Sequence, residues 1–308
     1  MRKILLPIVL LASQLLFSQA DSTKLWKKGG TLSLGLTQVS LTNWAAGGQN
    51  SIAIASLVEL FSNYKKDKTT WDNNLSMGYG IINQDKKLRN DMWFKNDDRF
   101  QLTSKFGHYA FKKWYYSGLL DFKTQFTPGY NDPLLPDSLK TTISDFLAPG
   151  YGIVALGMDY KTTDLTVLIA PLTGKFTVVN NQTLADAGAF GVEKAVYDTS
   201  IIPVKVKNGK RFRGEFGGYI KAKYVKDLTK TISFKSNLEL FSNYITDPSK
   251  IDVFWDNLLT IKVMKYVAIN YNAIIIYDDD IAITDVDGNT GPRTQFKSVL
   301  SANFSYKF

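Results

Sequence analysis

The chain has 308 residues, with 37 lysines and arginines, 28 aspartates and glutamates, one histidine and no cysteine, and its formal net charge is +9 at pH 7. This composition excludes disulfides, thiol catalysis, cysteine-ligated metal centres and multi-histidine metal sites. The lysines are spread along the chain with acidic residues between them, so we interpret the basic balance as a solvated surface and expect no nucleic-acid partner.

The N-terminal segment has the form of a secretory signal peptide. Two basic residues precede a mostly apolar run from Ile4 to Phe17, and Ser18-Gln19-Ala20 places small residues at the positions that a signal peptidase reads. The apolar run is shorter than the roughly 20 residues of a membrane-spanning helix, which favours cleavage after Ala20 over an N-terminal anchor. We therefore expect a signal peptide at residues 1–20 and one domain at residues 21–308.

Beyond residue 20 the dominant pattern is an alternation of apolar and polar residues with period two, which predicts β-strands. In the last segment Phe304, Tyr306 and Phe308 share one face, and serine and lysine occupy the other. The pattern predicts fourteen strands, near residues 30–38, 51–63, 70–82, 98–107, 113–126, 149–160, 164–172, 175–181, 187–197, 209–226, 230–244, 252–263, 266–277 and 294–308. Segments 175–181 and 187–197 carry the weakest pattern, so twelve strands is the alternative.

The length of the strands and the position of aromatic residues favour a membrane barrel over a soluble sandwich. Many predicted strands have ten or more residues, which matches a tilted bilayer crossing, and aromatic residues such as Trp71, Trp255 and Phe308 stand near strand ends. In lipid no strand edge can keep unpaired amides, so the sheet must close. The predicted fold class is all-β, a single closed antiparallel transmembrane β-barrel of about 12–14 strands; a secreted soluble β protein is the alternative.

An even number of strands places both termini in the periplasm. Segments 127–148 and 278–293 are then long extracellular loops, whereas KTTD at 161–164 and KDLT at 226–229 are short periplasmic turns. The hexapeptide ELFSNY occurs at both 59–64 and 239–244, each time followed by a polar gap and Trp-Asp-Asn. Our strand assignment puts the first gap in the periplasm and the second outside, which favours local convergence over gene duplication.

Several charged residues fall on the polar face of the predicted strands, which lines the lumen of a barrel. The predicted lumen-facing charges are Lys105, Lys123, Arg211, Arg213, Glu215, Lys221, Lys223 and Lys297. Basic residues outnumber acidic ones on this face. A lumen wall whose charges are mostly positive concentrates anions. Long basic side chains could instead pair with the acids and close the lumen. We expect a narrow or gated channel with mild anion preference.

Two polar motifs are candidates for a catalytic site and a metal site. His108 lacks the serine two residues later that outer-membrane phospholipases carry, so we expect no enzyme. Asp285, Asp287 and Asn289 alternate like the start of a calcium loop, which makes a loose calcium site a weak hypothesis. Phe296 rather than glutamate stands at the twelfth position, so the segment is not an EF-hand. A loop of good turn-forming residues is the alternative, and we expect no cofactor.

The chain resembles a known family along most of its length. The segments that carry the resemblance are NWAAGGQNS (43–51), TQFTPGY (124–130), ISDFLAPGY (143–151), LGMDY (156–160), APLTGK (170–175), ELFSNY with IDVFWDN, YDDDI (277–281) and SYKF (305–308). These are similar to the Bacteroidetes family called domain of unknown function 3078. The resemblance implies an outer-membrane β-barrel-like protein and implies no activity and no catalytic residues.

The predicted function is a narrow diffusion or transport barrel for small solutes in the cell outer membrane. The alternative is a structural or ligand-binding barrel with a plugged lumen, and an outer-membrane enzyme is the least favoured class. The expected partners are outer-membrane lipids, small solutes and the barrel-assembly machinery. Phe308 ends the final alternating strand and is the predicted assembly signal, as in outer-membrane barrels in general.

Overall fold

The computed structural model describes residues 25–39, 51–84, 93–131, 139–198, 203–284 and 289–308. The predicted signal peptide at residues 1–20 lies outside the described residues. The dominant feature is one closed barrel of twelve antiparallel strands. This confirms the predicted fold class and selects the lower of the two strand numbers.

The secondary structure is almost entirely strand. In chain order the elements are β1 (Trp26–Val39), β2 (Ser51–Lys66), β3 (Thr69–Gln84), β4 (Trp93–Phe111), β5 (Trp114–Thr124), β6 (Gly129–Tyr130), β7 (Thr142–Ser144), β8 (Gly150–Lys161), β9 (Leu165–Val178), helix α1 (Gln182–Asp186), a 3-10 turn (Ala189–Gly191), β10 (Val196–Asp198), β11 (Val204–Lys207), β12 (Phe212–Asp227), β13 (Ile232–Asn243), β14 (Ile251–Lys262), β15 (Val267–Tyr277), β16 (Ala282–Thr284), β17 (Thr290–Pro292) and β18 (Gln295–Lys307). Among the described residues, no helix has the length and apolar character needed to cross a membrane.

The barrel strands are arranged so that each pairs with its neighbours in the chain, and β1 closes the sheet against β18. The pairs β6–β7, β10–β11 and β16–β17 form three small hairpins outside the barrel. Segments of two to four residues join the strands at one end, which we name the short-turn end. The opposite, long-loop end carries the longer connections, including residues 125–149, 179–211 and 278–294. This asymmetry agrees with the predicted topology.

The two predicted strands 164–172 and 175–181 are a single strand, β9, because the break at Pro171 is a β-bulge. Ile169 and Leu172 face Met158 and Leu156 of β8, so β9 carries one extra residue there, and the same shift occurs against β12. Proline has no N–H to donate, and a bulge is where a ladder tolerates that loss. The bulge also exchanges the two faces: Leu168 is buried before it and Thr173 after it.

The predicted strand 187–197 is wrong, because this segment belongs to the loop between β9 and β12. Gly188, Phe190 and Gly191 have left-handed backbone angles, with φ of 74°, 58° and 78°, which a strand cannot accommodate. Only its last residues pair with another strand, in the hairpin β10–β11. Leu184, Ala185 and neighbouring apolar residues form a small buried cluster beneath this loop.

The wall of the barrel is apolar outside and polar inside. On β1 the side chains of Leu32, Leu34 and Leu36 are exposed outward, whereas Ser33 and Gly35 are buried on the inner face. Exposed apolar side chains also occur on β8, β9, β12 and β18. The inner face has one apolar patch, at Leu119, Ala155, Leu168, Ala170, Tyr219 and Phe241. Side-chain alternation on long strands therefore accounts for both surfaces.

The two ELFSNY stretches lie at opposite ends of the barrel. The first runs into the two-residue turn after β2 at the short-turn end, and the second runs into the loop after β13 at the long-loop end. Their strand registers also differ, because Trp71 faces Tyr64 whereas Trp255 faces Leu238. Two copies of one duplicated hairpin would share both orientation and register, so the structure supports convergence.

The C-terminal residue closes the seam between the first and last strands. The Phe308 N–H donates to the Gly30 carbonyl at 3.1 Å, and the Gly30 N–H donates back to the Phe308 carbonyl at 2.9 Å. The Phe308 ring stacks on Tyr306, with ring centroids 6.2 Å apart. Trp26 packs against Trp71 at the same end of the barrel, with centroids 5.9 Å apart. Aromatic residues therefore collect at the short-turn end, as interfacial residues do in membrane barrels.

Candidate functional site

The lumen is crossed by ion pairs between strands that are far apart in the sequence. The central cluster consists of Asp121, Lys123, Lys221 and Glu239. Lys221 Nζ lies 3.0 Å from Asp121 Oδ2 and 3.1 Å from Glu239 Oε1, and Lys123 Nζ lies 2.8 Å from Glu239 Oε2. Because the carboxylates are almost completely buried, these contacts offset the cost of removing the charges from water.

Neutral donors complete the hydrogen bonding of the central cluster. The Thr103 hydroxyl donates to Asp121 Oδ2 at 2.6 Å, and the Gln101 amide donates to the same oxygen at 3.1 Å. The Lys123 ammonium also lies 4.4 Å from the centre of the Phe254 ring, within the range of a cation–π contact. Asp121 therefore has charged and neutral partners at once, which fixes its position in the lumen.

A second set of ion pairs lies toward the short-turn end. Lys105 Nζ is 2.7 Å from Asp159 Oδ2, and Lys161 Nζ is 3.1 Å from Asp72 Oδ2 and 3.6 Å from Asp159. These contacts connect β3 and β4 with β8, across the intervening strand β5. The four residues form a chain of alternating charge, which we name the lower cluster.

The upper cluster, toward the long-loop end, has the largest number of acidic residues. Lys175 Nζ lies 2.5 Å from Asp252, 3.4 Å from Asp278 and 3.7 Å from Glu215. Arg213 Nη2 pairs with Glu215 at 2.8 Å and also with Asp280. The cluster therefore consists of two basic and four acidic residues: Lys175, Arg213, Glu215, Asp252, Asp278 and Asp280.

Arg213 also ties a loop across the barrel mouth. Its Nη1 donates to the Gly191 carbonyl of the 3-10 turn at 3.2 Å, while its other terminal nitrogen pairs with Asp280 in the connection after β15. Gly191 packs closely against Asp280, because a Cβ placed at this glycine would lie 3.3 Å from Asp280. Two loops that start from separate parts of the wall therefore meet over the upper cluster.

Between the central cluster and the short-turn end the lumen keeps a cavity of about 500 Å³. Its charged lining residues are Glu59, Asp72, Arg99, Lys105, Lys221, Lys223, Lys235, Glu239 and Asp256. Phe61, Phe254 and Leu168 contribute apolar surface to the same wall. The interior is therefore a charged chamber below a set of cross-lumen ion pairs.

The structure places seven of the eight predicted lumen-facing charges inside the barrel. Lys105, Lys123, Arg213, Glu215, Lys221, Lys223 and Lys297 line the cavity or take part in interior ion pairs. Lys297 is half-exposed at the mouth, 3.4 Å from Asp97. Arg211 is exposed and directly precedes β12, so its predicted lumen-facing position stays a prediction. Two residues earlier, the Gly209 N–H donates to Asp186 Oδ1 at 2.8 Å within the loop that precedes β12.

The sequence prediction missed other residues that take part in the interior ion pairs. Asp159 and Lys161 lie on the inner face of β8, and their alternating positions could have identified them. Lys175 could not be assigned in this way, because the bulge at Pro171 shifts the alternation by one residue. Asp252 could also have been identified, because it lies four residues before Asp256 on β14 and strand alternation places both on the same face.

The predicted calcium loop cannot be located as a site. Asp285 and Asp287 lie outside the described residues, and Asn289 is exposed, with its carbonyl accepting a hydrogen bond from Arg293 at 3.3 Å. Within the described ranges, no group of three or more histidine, cysteine, aspartate or glutamate side chains is arranged to hold a metal ion. His108 contacts the Thr69 hydroxyl at 3.2 Å, at the short-turn end.

Residues 36–130 match the model of a family described as a protein of unknown function (DUF3078), which confirms the predicted family resemblance over this segment. No curated protein matches the chain. Among solved structures, the chain is similar to the translocator domain of autotransporter NalP from Neisseria meningitidis, with 11% identity, a TM-score of 0.38, and coverage of 98% of this chain and 94% of that chain. It is also similar to an outer membrane channel from Pseudomonas putida F1, with 9% identity, a TM-score of 0.39, and coverage of 94% and 100%.

Proposed function

We propose that this chain spans the outer membrane and forms a narrow pathway for small solutes, which interior ion pairs close in the present conformation. The apolar outer face, the polar lumen and the aromatic residues at the short-turn end support a membrane-spanning barrel. The proposal includes removal of residues 1–20 after Ala20, delivery through the barrel-assembly machinery by way of Phe308, and contact with outer-membrane lipids. In this orientation the short turns face the periplasm.

The cavity of about 500 Å³ inside the charged lumen is the observation that carries this proposal. Eight-stranded barrels are just wide enough for side chains to fill, whereas barrels of 16–18 strands leave an open aqueous channel. This barrel has twelve strands and keeps polar interior space that its side chains do not fill. Paired lysine and arginine side chains, together with the apolar patch on the inner face, occupy the rest of the lumen.

The arrangement of the upper cluster suggests how the pathway would open. Arg213 holds the 3-10 turn and Asp280 together, and it also pairs with Glu215 on its own strand. Releasing Arg213 would separate two loops while leaving the backbone hydrogen bonds of the barrel in place. Opening of the mouth therefore requires movement of loops and side chains only.

A ligand-binding barrel with a permanently plugged lumen is the second candidate. The contact between Gly191 and Asp280 across the mouth favours it, because this contact would block passage if it never opened. The proposal includes no enzymatic activity, since His108 has only the Thr69 hydroxyl as a hydrogen-bond partner among the described residues.

Planar-bilayer recordings of the refolded barrel test the proposal. We expect small single-channel currents from the native chain, larger ones from Arg213→Met, and reversal potentials under a salt gradient that indicate mild anion preference. Lys210→Met is the matched control, because Lys210 pairs with Glu193 on the exposed part of the same loop. Absence of current in both the native chain and Arg213→Met would contradict a pathway and support the plugged barrel.

A further inference from the structure

Five basic side chains line the lumen cavity, and three of them have acidic partners. Lys105 pairs with Asp159, Lys221 pairs with the two acids of the central cluster, and Lys235 lies 3.5 Å from Glu59. The other two, Lys223 and Arg99, make no ion pair and no side-chain hydrogen bond with any described residue. The cavity therefore has two basic side chains that form no ion pair with a described residue.

Lys223 lies in a strongly positive part of the wall. It stands on β12 between Thr166 of β9 and Asn237 of β13, both of which also line the cavity. The charged groups that act on it most strongly are Lys235, Lys105 and Lys221, followed by the acid Glu59. Like charges brought together in a confined space repel one another, and a bound anion would relieve that repulsion.

Arg99 lines the same cavity and has one unsatisfied donor, packed against the wall. It stands on β4 opposite Gly78, where an added Cβ would lie 2.9 Å from the arginine Nε. That Nε is buried and lacks a hydrogen-bond partner within the described part of the chain. Leaving a buried donor unpaired is costly, and the guanidinium group matches the geometry of carboxylate and phosphate oxygens.

The acids of the cavity do not neutralise these two cations. Glu59, Asp72 and Glu239 each have a lysine partner. Asp256 accepts a hydrogen bond from the Asn272 amide at 2.6 Å and has no basic partner among the described residues. Among the described lining residues, two cations without an ion pair thus face one carboxylate without an ion pair, and the cavity of about 500 Å³ has room for a small solute together with water.

We infer that the lumen cavity is a binding site for a small oxyanion, a carboxylate or a phosphate, with Lys223 and Arg99 as the cations that attract it. This inference rests on the proposed function, because it names the class of solute that the barrel takes. Lys223 supplies a mobile point charge and Arg99 supplies directed hydrogen bonds, a combination that suits the planar or tetrahedral oxygens of these anions. The neighbouring lysines Lys105, Lys221 and Lys235 keep their ion pairs and add a positive potential that favours a bound anion.

Calorimetric titration of the refolded barrel in detergent at low salt tests the site. Sodium phosphate and sodium succinate are titrated separately, so that the two sources of oxyanion are distinguished, with sodium chloride as the reference anion. We expect saturable binding of at least one oxyanion and an affinity about tenfold weaker in both Lys223→Met and Arg99→Met, as expected when one charge-assisted hydrogen bond is removed.

Lys113→Met is the matched control, since Lys113 is an exposed lysine in the two-residue turn after β4 and does not line the cavity. It removes the same charge and should bind like the native chain. Heat-modifiable migration on gels identifies the folded fraction of each variant before titration. Equal affinities for the native chain and Lys223→Met, or no oxyanion binding by the folded native barrel, would overturn the inference.

Binding and conductance are measured on the same preparations, so the two proposals can fail separately. Oxyanion binding without any current supports the site and contradicts the pathway. Current without oxyanion binding supports the pathway and refutes the site.

Discussion

Removal of the Lys221 charge should destabilise the barrel more than any exposed lysine substitution. Its Nζ lies between Asp121 and Glu239, at 3.0 and 3.1 Å, and its side chain is only 16% exposed. Lys221→Met keeps most of the aliphatic length and removes the ammonium. Asp121 and Glu239 would then share a single cation, Lys123, which is 2.8 Å from Glu239 and 4.0 Å from Asp121.

The size of the effect follows from the burial of the two acids. Breaking a buried ion pair by removing one partner costs about 3–5 kcal/mol, because an uncompensated charge remains in the interior. The Asp121 side chain is 1% exposed and the Glu239 side chain is 8% exposed, so both belong to that class. Lys123 still pairs with Glu239, and Thr103 and Gln101 still donate hydrogen bonds to Asp121. We therefore expect a loss of unfolding free energy at the lower end of this range, about 3 kcal/mol.

The assay is urea unfolding of the barrel refolded in lipid vesicles, followed by the fluorescence of its six tryptophans. A lower midpoint with an unchanged slope reports lost stability rather than a change in the native or unfolded state. The control is Lys113→Met in the exposed turn, which should stay within about 0.5 kcal/mol of the native chain.

A double variant separates the electrostatic explanation from loss of packing. Lys221→Met with Glu239→Gln leaves one acid and one lysine in the central cluster, so it should recover part of the stability that Lys221→Met loses. Equal or greater loss in the double variant would refute the reasoning. A loss below about 0.5 kcal/mol in Lys221→Met alone would do so as well.

Deletion of Phe308 removes the paired backbone hydrogen bonds to Gly30. It should lower the outer-membrane yield of heat-modifiable barrel far more than deletion of residues 21–23 does, and equal yields would contradict this. Hydrogen bonds from two lysines lower the pKa of Glu193 to about 2 from 4.5, so its contribution to loop stability is present above pH 4.5 and is lost as the pH falls through 2. Pepsin should therefore cut the loop of Glu193→Gln faster than the native loop at pH 4.5, and the ratio of the two rates should fall toward one as the pH approaches 2. A constant ratio of rates would count against this. Gly157→Ala should reduce the folded fraction on gels, because its Cβ would collide with the backbone of β9, whereas Gly152→Ala, with 3.9 Å of clearance, should not.

Much of the barrel wall could be predicted because strand alternation is a local property. Eleven of the twelve barrel strands overlap one predicted strand each, and most of the predicted interior charges lie inside. The failures occurred where local pattern and tertiary pairing disagree. The sequence predicted that a strand ends near Pro171, whereas β9 continues through it with a β-bulge against both β8 and β12. Segment 187–197 has mixed polarity that also fits a loop.

The all-β class and the two faces of most strands follow from the sequence alone, because period-two patterning depends only on which residues are apolar. Tertiary structure alone decided which charges meet, since pairs such as Lys123 with Glu239 and Lys235 with Glu59 join residues 116 and 176 positions apart. Those partners are set by the strand number and register of the closed barrel. The same closure leaves Lys223 and Arg99 without an ion pair to any described residue, and no local pattern in the chain encodes that.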